Sequence, residues 1–600
     1  MKIISPITNS MHWYSLLLVL LFSAGTCLGQ GNTYKAKISG RVQAQMSQSD
    51  PIDVVLQIEP LDMRPYTRGI EDKATKGRIV YKTLTDHAAS TQAPVRKLLE
   101  QWNVPYKSYW VANIIASRLT ARQVIEIARQ RAVVRILSDA PVTFTRPIPA
   151  NDYSSISLRG EPQVTWGIQR ILADSVWAKG IKGHGVVVGG QDTGYKWDVD
   201  GIKDKYRGFD GTTVDHNYSW HDAISDYNPI NGDSSNPCGL NLDTPCDDHG
   251  HGTHTMGTMV GENDTLQYGV APEATWIGCR CMERGWGKPS TYIDCFQWFI
   301  APTNTDNKQP DPSMAPAVIN NSWGCPPNEG CNPDNYDIMR QVVDNVKAAG
   351  IVVVVSAGND GGGGCSTIRN PAAIYEGSFT VGALSPNDTI ARFSSRGEVL
   401  SDSSHRTKPD ITAPGVRVLS QLPDGSFRAW NGTSMAGPHV AGVVALMISA
   451  NPNLAGHVDV IEEIITSTAR RKFSPIDSCD TDPMTIPNNV YGYGVIDALK
   501  AVKKALAWHP VKNNNTLDNG GIVVWPNPTN GLLEFDFVEV KDTEVQDILF
   551  STLGGKVVKT APYYKDSNRW KYDFSGYPSG VYLYSIRLGN RSVDGRFIKI

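Results

Sequence analysis

The chain is long enough for several domains: 600 residues, at about 150 per domain, predict about four, or fewer if one is a large α/β unit. Hydrophobic residues make up 40% of the chain, which is enough to bury sizeable cores and excludes a chain disordered throughout. The 57 basic and 60 acidic residues leave a formal net charge of −3, without long runs of one sign. Because this balance offers nucleic acid or an anionic membrane no electrostatic attraction, we expect neither as a partner.

Residues 1–29 are typical of a secretory signal peptide. Lys2 precedes an apolar run at 13–22, and small residues then lead to Gly29, where we expect cleavage. The run is too short for a membrane span, and no other stretch approaches ~18 continuous apolar residues. We therefore expect no transmembrane segment in the mature chain. Lipid attachment at Cys27 is an alternative, but the two residues before that cysteine match the usual pattern poorly.

Of the ten cysteines, nine remain once Cys27 is removed with the signal peptide. An exported chain enters an oxidising compartment, where we expect these cysteines to form disulfides. The spacing allows several short-range pairs: Cys238 with Cys246, Cys325 with Cys331, and Cys279 or Cys281 with Cys295. The sequence leaves the connectivity open, and the odd number leaves at least one thiol unpaired or bonded to another molecule. No cysteine spacing matches a zinc ribbon or finger.

Residues 50–140 are predicted to form a small α+β domain. Apolar alternation and helical spacing indicate six elements, with Thr120 as the N-cap of the second helix. The elements are strands at 52–58, near Tyr106, at 110–117 and at 133–137, and helices at 83–102 and after Thr120. Their order, β-α-β-β-α-β, is that of the ferredoxin-like arrangement. Proline-punctuated polar residues at 141–165 then predict a linker.

Residues 166–510 are predicted to form a larger α/β domain. Short, wholly apolar strands alternate there with helical patterns, for example strands at 186–188 and 351–355 and helices at 336–349 and 437–449. Such strands are typical of a parallel sheet with helices on both faces. A polar stretch at 511–521 predicts a second linker.

Residues 522–600 differ in pattern from the α/β region. Apolar residues such as Leu533 and Phe535 alternate with polar ones, and turns such as the one at Asn530 and Gly531 separate the runs. This pattern predicts a small all-β sandwich. It contains no cluster of residues suited to catalysis.

Three segments of the α/β domain each contribute one residue of a charge-relay set. Asp192 follows an apolar strand, so its carboxylate should lie at the carboxyl end of the sheet, where α/β proteins bind ligands. His251 is the candidate general base, and Ser434, just before the predicted helix at 437–449, is the candidate nucleophile. Serine needs a neutral imidazole to take its proton, and the imidazole needs a carboxylate to orient it. The helix N-terminus would add unpaired N–H groups and a positive dipole end.

Asn359 is a fourth candidate. It ends the run Ser-Ala-Gly-Asn that follows the predicted strand at 351–355. Its side-chain amide has the donor that a developing oxyanion requires. We therefore predict that Asn359 stabilises the oxyanion.

The blocks that contain Asp192, His251 and Ser434 resemble, in this order, the three signature blocks of the subtilisin-like serine peptidases. The blocks are Asp192-Thr193-Gly194, His251-Gly252-Thr253-His254 and Gly432-Thr433-Ser434-Met435-Ala436. The resemblance covers residues 166–505 and is greatest to the bacillopeptidase F-like members. It implies a subtilisin-like parallel sheet and a serine endopeptidase that hydrolyses peptide bonds in proteins through an acyl-enzyme.

The same resemblance implies which residues bind the substrate. One strand edge, at 322–324, would pair with an extended peptide, and part of 357–359 would line the pocket for a substrate side chain. The implied substrate-binding residues are Ser322, Trp323, Gly324, Ala357 and Gly358. The chain departs from the family at Thr255 and Met256, which replace smaller residues, and in the long cysteine-bearing loop before His251. The side-chain preference therefore stays open.

The two flanking regions resemble known accessories of secreted peptidases. Residues 50–140 resemble an inhibitor-like propeptide, which implies a zymogen whose own propeptide is an intramolecular inhibitor. Residues 522–600 resemble the C-terminal sorting domain of type IX secretion substrates, which implies that machinery as a partner. The expected location is outside the cell or on its surface, after export across both membranes.

The residues themselves argue against other interpretations. Three histidines lie beside Asp247, but they do not form the His-Glu-x-x-His zinc pattern, so no metal site is predicted. A triad of this kind needs no cofactor, and a structural calcium ion is left open because no complete calcium loop is readable. An α/β-hydrolase would need the order Ser, acid, His and a glycine in place of Ala436. The remaining alternative is a catalytically inactive, peptidase-like binding or adhesion protein, which a missing triad residue would favour.

Overall fold

The computed structural model describes residues 34–48, 50–139, 142–143, 148–149, 163–228, 231, 236–324, 335–473, 479–480, 482, 484–510, 522–525, 529, 531–537, 545–565, 569–589 and 591–599. The predicted signal peptide, the linker at 511–521 and the cysteines Cys325 and Cys331 lie outside these ranges. The chain divides into two compact units, of which the first comprises Met1–Pro60 and Asp86–Ala140. The second comprises Leu61–Thr85 and Pro141–Ile600.

The first unit contains a four-stranded antiparallel sheet in the order β2-β3-β1-β4. Its core joins sheet residues such as Val54 and Ile115 to helix residues such as Leu99 and Ile127. The strands are β1 (Ile52–Ile58), β2 (Tyr106–Tyr109), β3 (Ile114–Leu119) and β4 (Val133–Ser138). The helices between residues 40 and 128 are α1 (Gly40–Met46), α2 (Arg64–Thr67), α3 (Lys73–Thr91), α4 (Ala93–Gln101) and α5 (Ala121–Ala128).

The structure corrects two predicted elements of this region and confirms a third. The helix predicted at 83–102 is two helices, α3 and α4, because Pro94 lacks an N–H group and begins a new helix. The strand predicted at 110–117 begins only at Ile114, since the chain turns through Asn113 at φ 50°. Thr120 is the N-cap of α5, as predicted, and its side chain accepts a hydrogen bond from Gln123 N.

The second unit is built on a seven-stranded sheet in the order β17-β16-β15-β14-β8-β11-β9, whose pairs are all parallel. Most strand residues are buried on both faces, which is why the strands are continuous apolar runs rather than alternating ones. This confirms the predicted α/β fold with a large parallel sheet. The strands are β8 (Val187–Asp192), β9 (Trp220–Asp222), β11 (Thr275–Arg280), β14 (Val318–Asn321), β15 (Val352–Ser356), β16 (Phe379–Leu384) and β17 (Ile411–Pro414).

Eight helices accompany this sheet in the described part of the second unit beyond residue 165: α6 (Trp166–Ile171), α7 (Ala173–Trp177), α8 (His251–Val260), α9 (Pro289–Ile300), α10 (Tyr336–Ala348), α11 (Thr433–Ala450), α12 (Val458–Thr468) and α13 (Ala498–Ala507). Helix α11 begins at Thr433 and not at 437 as predicted, so Ser434 lies inside its first turn. By length and composition α11 could cross a membrane, but 89% of it is buried inside the protein. It is a core helix that packs against the central strands.

Short strands form three small sheets beside the parallel one. They are β5 (Val142–Thr143) with β12 (Met282–Glu283) and β13 (Trp286–Gly287), β6 (Ile148–Pro149) with β18 (Val418–Gln421) and β19 (Phe427–Asn431), and β7 (Gln163–Val164) with β10 (Leu266–Gln267). Three of these strands lie within the stretch predicted as a linker at 141–165.

The C-terminal region is all-β, as predicted. It has two four-stranded sheets, in the orders β20-β21-β25-β24 and β23-β22-β26-β27, and every pair is antiparallel. Phe535 of the first sheet and Phe550 of the second belong to one buried cluster, and their rings meet edge to face at 5.8 Å. The strands are β20 (Ile522–Trp525), β21 (Leu532–Phe537), β22 (Val545–Thr552), β23 (Val557–Val558), β24 (Tyr564–Lys565), β25 (Arg569–Asp573), β26 (Gly580–Leu588) and β27 (Arg591–Lys599).

Three disulfides join described cysteines. Cys238–Cys246 confirms a predicted pair, and Cys279–Cys295 decides between the two predicted partners of Cys295. The third, Cys365–Cys479, was not predicted and joins residues 114 apart in sequence. Cys281 is the free cysteine among the described residues and is buried.

We expect the loss of the Cys365–Cys479 bond to lower the free energy of unfolding by about 2–4 kcal/mol. The bond closes a separation of 114 residues, against 8 for Cys238–Cys246, and a longer loop loses more entropy in the unfolded chain when it is closed. Urea unfolding of the two paired Cys→Ser variants, followed by tryptophan fluorescence, measures both losses. An equal or larger loss for the short loop would contradict the entropic explanation.

Candidate active site

The parallel sheet places Asp192 at the carboxyl end of β8, where its carboxylate meets His251, the first residue of α8. Asp192 Oδ1 lies 2.6 Å from His251 Nδ1, and both side chains are almost completely buried. Thr193 N donates to the same oxygen at 2.8 Å, and Thr255 Oγ1 donates to Oδ2 at 3.4 Å. The carboxylate is therefore held in one orientation, and it fixes the imidazole by its Nδ1 side.

Asp247 organises this pair, and the sequence analysis did not assign it that role. Its Oδ1 accepts from Thr193 Oγ1 at 2.9 Å and from Gly250 N at 2.7 Å. Its Oδ2 accepts from Thr253 Oγ1 at 2.6 Å. Asp247 is thus hydrogen-bonded to Thr193, which follows Asp192, and to Gly250 and Thr253, which lie on either side of His251 in sequence. The sequence signal was its position beside three histidines, where the sequence predicts no metal site and gives Asp247 no other role.

The long loop before His251 is anchored by buried charges. Arg280, on β11, pairs with Asp222 at 3.3 Å and with Asp248. Burial raises the pKa of Asp248 to about 6, and the neighbouring Arg280 cation opposes that shift. Together with Cys238–Cys246, these contacts fix the segment that carries His251.

Ser434 is fully buried in the first turn of α11, and α11 packs against α8. Its Oγ donates to Ser322 O at 3.3 Å, and Ser322 Oγ donates to Ser434 O at 3.1 Å. Ser322 follows β14, the neighbour of β8 in the sheet, so the serine lies at the same sheet edge as Asp192. The ring of Trp430, shortly before Ser434, stacks over His251 at 6.2 Å between centroids. The structure thus brings all three predicted segments to one place.

Asn359 follows β15 and faces the start of α11. Its Oδ1 accepts from Thr433 N and from Thr433 Oγ1, each at 3.0 Å. Oδ1 makes both of these bonds. The side-chain Nδ2 is buried and has no hydrogen-bond partner among the described residues. A buried donor without an acceptor costs free energy and is rare in folded proteins. Nδ2 is therefore a donor available to a bound group beside Ser434.

The residues predicted to bind substrate follow β14 and β15. Ser322 bonds to Ser434, as above, and Gly358 N donates to Thr433 Oγ1 at 3.1 Å. Ala357 N donates to Val381 O at 3.0 Å, so its N–H is used within the sheet. Trp323 is buried, with its ring stacked on Tyr292 at 3.8 Å between centroids, and Gly324 ends the described segment. Their substrate contacts stay a prediction.

Residues 142–149 of the second unit pair with two other strands of that unit. Val142–Thr143 pairs antiparallel with Trp286–Gly287, and Ile148–Pro149 pairs antiparallel with the end of β19. The second pairing aligns Ile148 with Asn431, which comes just before the block that contains Ser434. The chain's own extended backbone is therefore already paired, as an added strand, with one edge of each of these two strands.

Two further histidines have supporting contacts. His254 stacks on Trp430 at 4.6 Å, and burial lowers the pKa of His254 to about 3. His439 Nδ1 lies 2.8 Å from Met435 O, and burial lowers the pKa of His439 to about 4. Both rings are neutral at pH 7. Within the described residues, no group of three or more His, Cys, Asp or Glu side chains is arranged to hold a metal ion.

Known proteins are similar to this chain in sequence and fold. It is 36% identical over 407 residues to bacillopeptidase F of Bacillus subtilis (strain 168), which is 66% of this chain and 26% of that protein. It is 32% identical over 308 residues to subtilisin DY of Bacillus licheniformis, 51% of this chain and 91% of that protein. The chain therefore spans about a quarter of bacillopeptidase F but most of subtilisin DY.

Its fold is similar to the crystal structure of the epidermin leader peptide processing serine protease from Staphylococcus aureus, with a TM-score of 0.53. That likeness has 16% sequence identity and covers 76% of this chain and 99% of that chain, so it supports the fold alone.

Residues 523–600 match the secretion system C-terminal sorting domain. This domain directs export through the type IX system, so the protein is secreted or attached to the cell surface. Residues 183–494 match the subtilase family, which is more than half of the 600 residues. By the extent of that match, and by the identity with most of subtilisin DY, the chain belongs to the subtilase family.

Proposed function

We propose that the protein is a secreted serine endopeptidase that cleaves peptide bonds through an acyl-enzyme on Ser434. Membership of the subtilase family supports a serine-type peptidase. The observation that carries the proposal is the 2.6 Å contact between Asp192 and His251, at the sheet edge where Ser434 lies in the first turn of a buried helix. An orienting acid, an imidazole and a hydroxyl are the three groups that nucleophilic serine catalysis needs.

The proposed reaction uses each group in turn. His251 Nε2 takes the proton of Ser434 Oγ as the oxygen attacks the substrate carbonyl carbon, and Asp192 stabilises the resulting imidazolium. The carbonyl oxygen becomes an oxyanion that accepts from Asn359 Nδ2 and meets the positive end of α11. His251 then gives its proton to the leaving amine, and water repeats the sequence on the acyl-enzyme. None of these steps uses a cofactor or a metal, and the proposal assigns the catalysis none.

For the substrate we propose an extended peptide held as an added β-strand. The strand Trp286–Gly287 supports this, because one of its two edges already pairs with Val142–Thr143. The segment 322–324 would form the facing edge, and Ala357 and Gly358 would line the side-chain pocket. Backbone pairing of this kind gives affinity for many sequences, while the pockets give selectivity.

We also propose that the enzyme is made as a zymogen in which residues 50–140 form a ferredoxin-like, inhibitor-like propeptide. The antiparallel order β2-β3-β1-β4 supports the ferredoxin-like assignment. The chain that follows pairs with the strands Trp286–Gly287 and Phe427–Asn431, of which the second ends just before Ser434, and this supports inhibition before cleavage. Removal of the chain through residue 149 would then free both strand edges for substrate.

A fluorophosphonate serine-hydrolase probe tests the proposed function. We would incubate the full chain and its Ser434→Ala variant with the probe and with an unfolded protein substrate, and record intact masses. Labelling, loss of the N-terminal region and substrate fragments, all confined to the Ser434 protein, would support an active zymogen. If a folded Ser434 protein freed of the chain through residue 149 and supplied with calcium shows none of these, the protein is instead an inactive binding protein.

We expect Asn359→Leu to lower kcat by about 100- to 1000-fold with little change in KM, a magnitude carried over from subtilisin. The substitution removes the Nδ2 donor, which has no other partner among the described residues. Steady-state kinetics on a peptide substrate measures the effect. Because Leu also removes the acceptor of Thr433, the matched control is Thr433→Val, which removes one hydroxyl contact of Asn359 and keeps Nδ2. A loss for Thr433→Val as large as for Asn359→Leu would refute the oxyanion role.

A further inference from the structure

Two histidines of α8 and one tryptophan of β19 form a stack of rings in the candidate active site. The indole of Trp430 lies 4.6 Å from the imidazole of His254 and 6.2 Å from that of His251, measured between ring centroids. The ring planes differ by 12° and 21°, so each imidazole is close to parallel with the indole. We call these three side chains the ring stack. It joins the proposed general base to a residue that comes shortly before Ser434.

His254 is held in place by hydrogen bonds to both strands of the β18–β19 pair. The side chain is completely buried, and burial lowers the pKa of His254 to about 3, so the ring is neutral at pH 7. A neutral imidazole has one N–H group. Because Nε2 lies 3.0 Å from the carbonyl oxygen Arg428 O, the hydrogen is on Nε2, which donates. On the neighbouring strand, Ser420 Oγ donates to His254 O at 2.7 Å.

Trp430 is held by its backbone as well as by its ring. It pairs with Val418 in the antiparallel register of β18 and β19. This pairing does not involve residues 142–149, so removal of the N-terminal region would leave it in place. The side chain is half-buried, with His254 stacked against it. The ring stack is therefore a fixed part of the α/β domain itself.

The contact with Asp192 fixes one atom of the His251 ring but not the tilt of the ring plane. It joins Asp192 Oδ1 to His251 Nδ1 at 2.6 Å. A contact at one atom allows a planar ring to turn about that atom, whereas a ring stacked on its face resists the turn by overlap. The tilt matters for the proposed reaction, since a misplacement of about 1 Å can cost about 100-fold in rate.

We propose that Trp430 is a positioning residue for the general base, and that His254 holds Trp430 in place. The indole keeps the plane of the His251 ring directed at Ser434 while the proton is taken up and returned. Trp430 itself forms no bond in the reaction. This inference rests on the proposed function, because it gives Trp430 a role in that same reaction.

The test separates the activation of Ser434 from the binding of a peptide. A small fluorophosphonate reacts with the serine hydroxyl when the imidazole activates it, and it lacks the extended backbone of a peptide substrate. We would measure the second-order rate of labelling, together with kcat and KM on a peptide. Each protein is made as the full chain, and rates refer to the fraction that has lost the N-terminal region, determined by intact mass.

We expect Trp430→Leu to lower kcat and the labelling rate together by at least tenfold, with KM within threefold of the parent. Leucine keeps an apolar side chain on the strand but has no flat face. Trp430→Phe restores a flat face and should stay within threefold of the parent in all three constants. Phe427→Leu is the matched control, since it removes an aromatic ring from the same strand. The Phe427 ring meets Tyr268 edge-on at 5.1 Å, and its loss should change each constant less than twofold.

His254→Gln tests the other end of the ring stack. Glutamine keeps an N–H donor for Arg428 O but has no ring to stack on Trp430. We expect kcat and the labelling rate to fall together by at least threefold, again with little change in KM. If Trp430→Leu does not fold, as judged by circular dichroism and thermal unfolding, His254→Gln decides.

The proposal is wrong if folded Trp430→Leu is labelled at the parent rate, or if Trp430→Phe loses as much activity as Trp430→Leu. A raised KM with an unchanged labelling rate would mean that Trp430 contacts the substrate instead. A parent protein that is not labelled at all would refute the proposed function, and this inference with it. Labelling of the parent but equal labelling of the variants would refute this inference alone.

Discussion

We expect Ser434→Ala to lower kcat by about a millionfold, a magnitude carried over from subtilisin. The hydroxyl is the only atom group of this side chain that can form the acyl-enzyme, and alanine removes it without changing the helix that bears it. If the enzyme itself cuts the chain at 141–165, the N-terminal region of the Ser434→Ala variant should also stay attached. The remaining activity would come from the oxyanion donors and from substrate binding alone.

Peptide hydrolysis under single-turnover conditions, with the N-terminal region followed by mass, measures both effects. Ser313→Ala, at an exposed serine, is the control and should be fully active. Normal hydrolysis by Ser434→Ala would mean that the nucleophile is another residue.

The second large effect is expected for Asp192→Asn, which should lower kcat by about ten-thousandfold, again by carry-over from serine peptidases. An amide in this place keeps the size of the side chain, and its oxygen can still accept from Thr193 N. It carries no negative charge, so the imidazolium of His251 is no longer stabilised and the ring can adopt the wrong tautomer. KM should change little, because Asp192 is buried and its proposed role is to orient His251.

Steady-state kinetics between pH 6 and 9 checks this prediction. Asp198→Asn makes the same chemical change at a partly exposed carboxylate and should leave kcat within twofold. Equal losses in the two variants, or a loss of thermal stability that explains the lost activity, would argue against the orienting role of Asp192.

The sequence predicts the three proposed catalytic residues because each lies in a short block whose chemistry is local. Asp192 comes directly after a buried strand, and the sheet then carries it to the ligand-binding edge. Asp247 could not be assigned in the same way, since its role depends on Thr193, which is 54 residues away in sequence. The pairing of Cys365 with Cys479 is hidden for the same reason, with 114 residues between the partners.

Element boundaries are the other part that local patterns miss. Helix α11 has Thr433, Ser434, Gly437 and Pro438 before its apolar run, and these four residues favour a turn over a helix when read alone. In the folded protein they are buried, and bonds to neighbouring strands hold them helical; Ser356 Oγ, for example, donates to Thr433 O at 3.0 Å. Tertiary contacts, and not the local sequence, therefore explain why Ser434 lies inside the helix.

The Cys365–Cys479 bond also makes the stability of the folded chain depend on the compartment that it occupies. Ser434 lies between these two cysteines in sequence, so it belongs to the covalent ring that the bond closes. In the reducing cytoplasm that ring stays open, and it closes only after the chain has crossed the inner membrane. For the proposed peptidase, the stability that this bond adds would therefore be absent in the cytoplasm and present only after export.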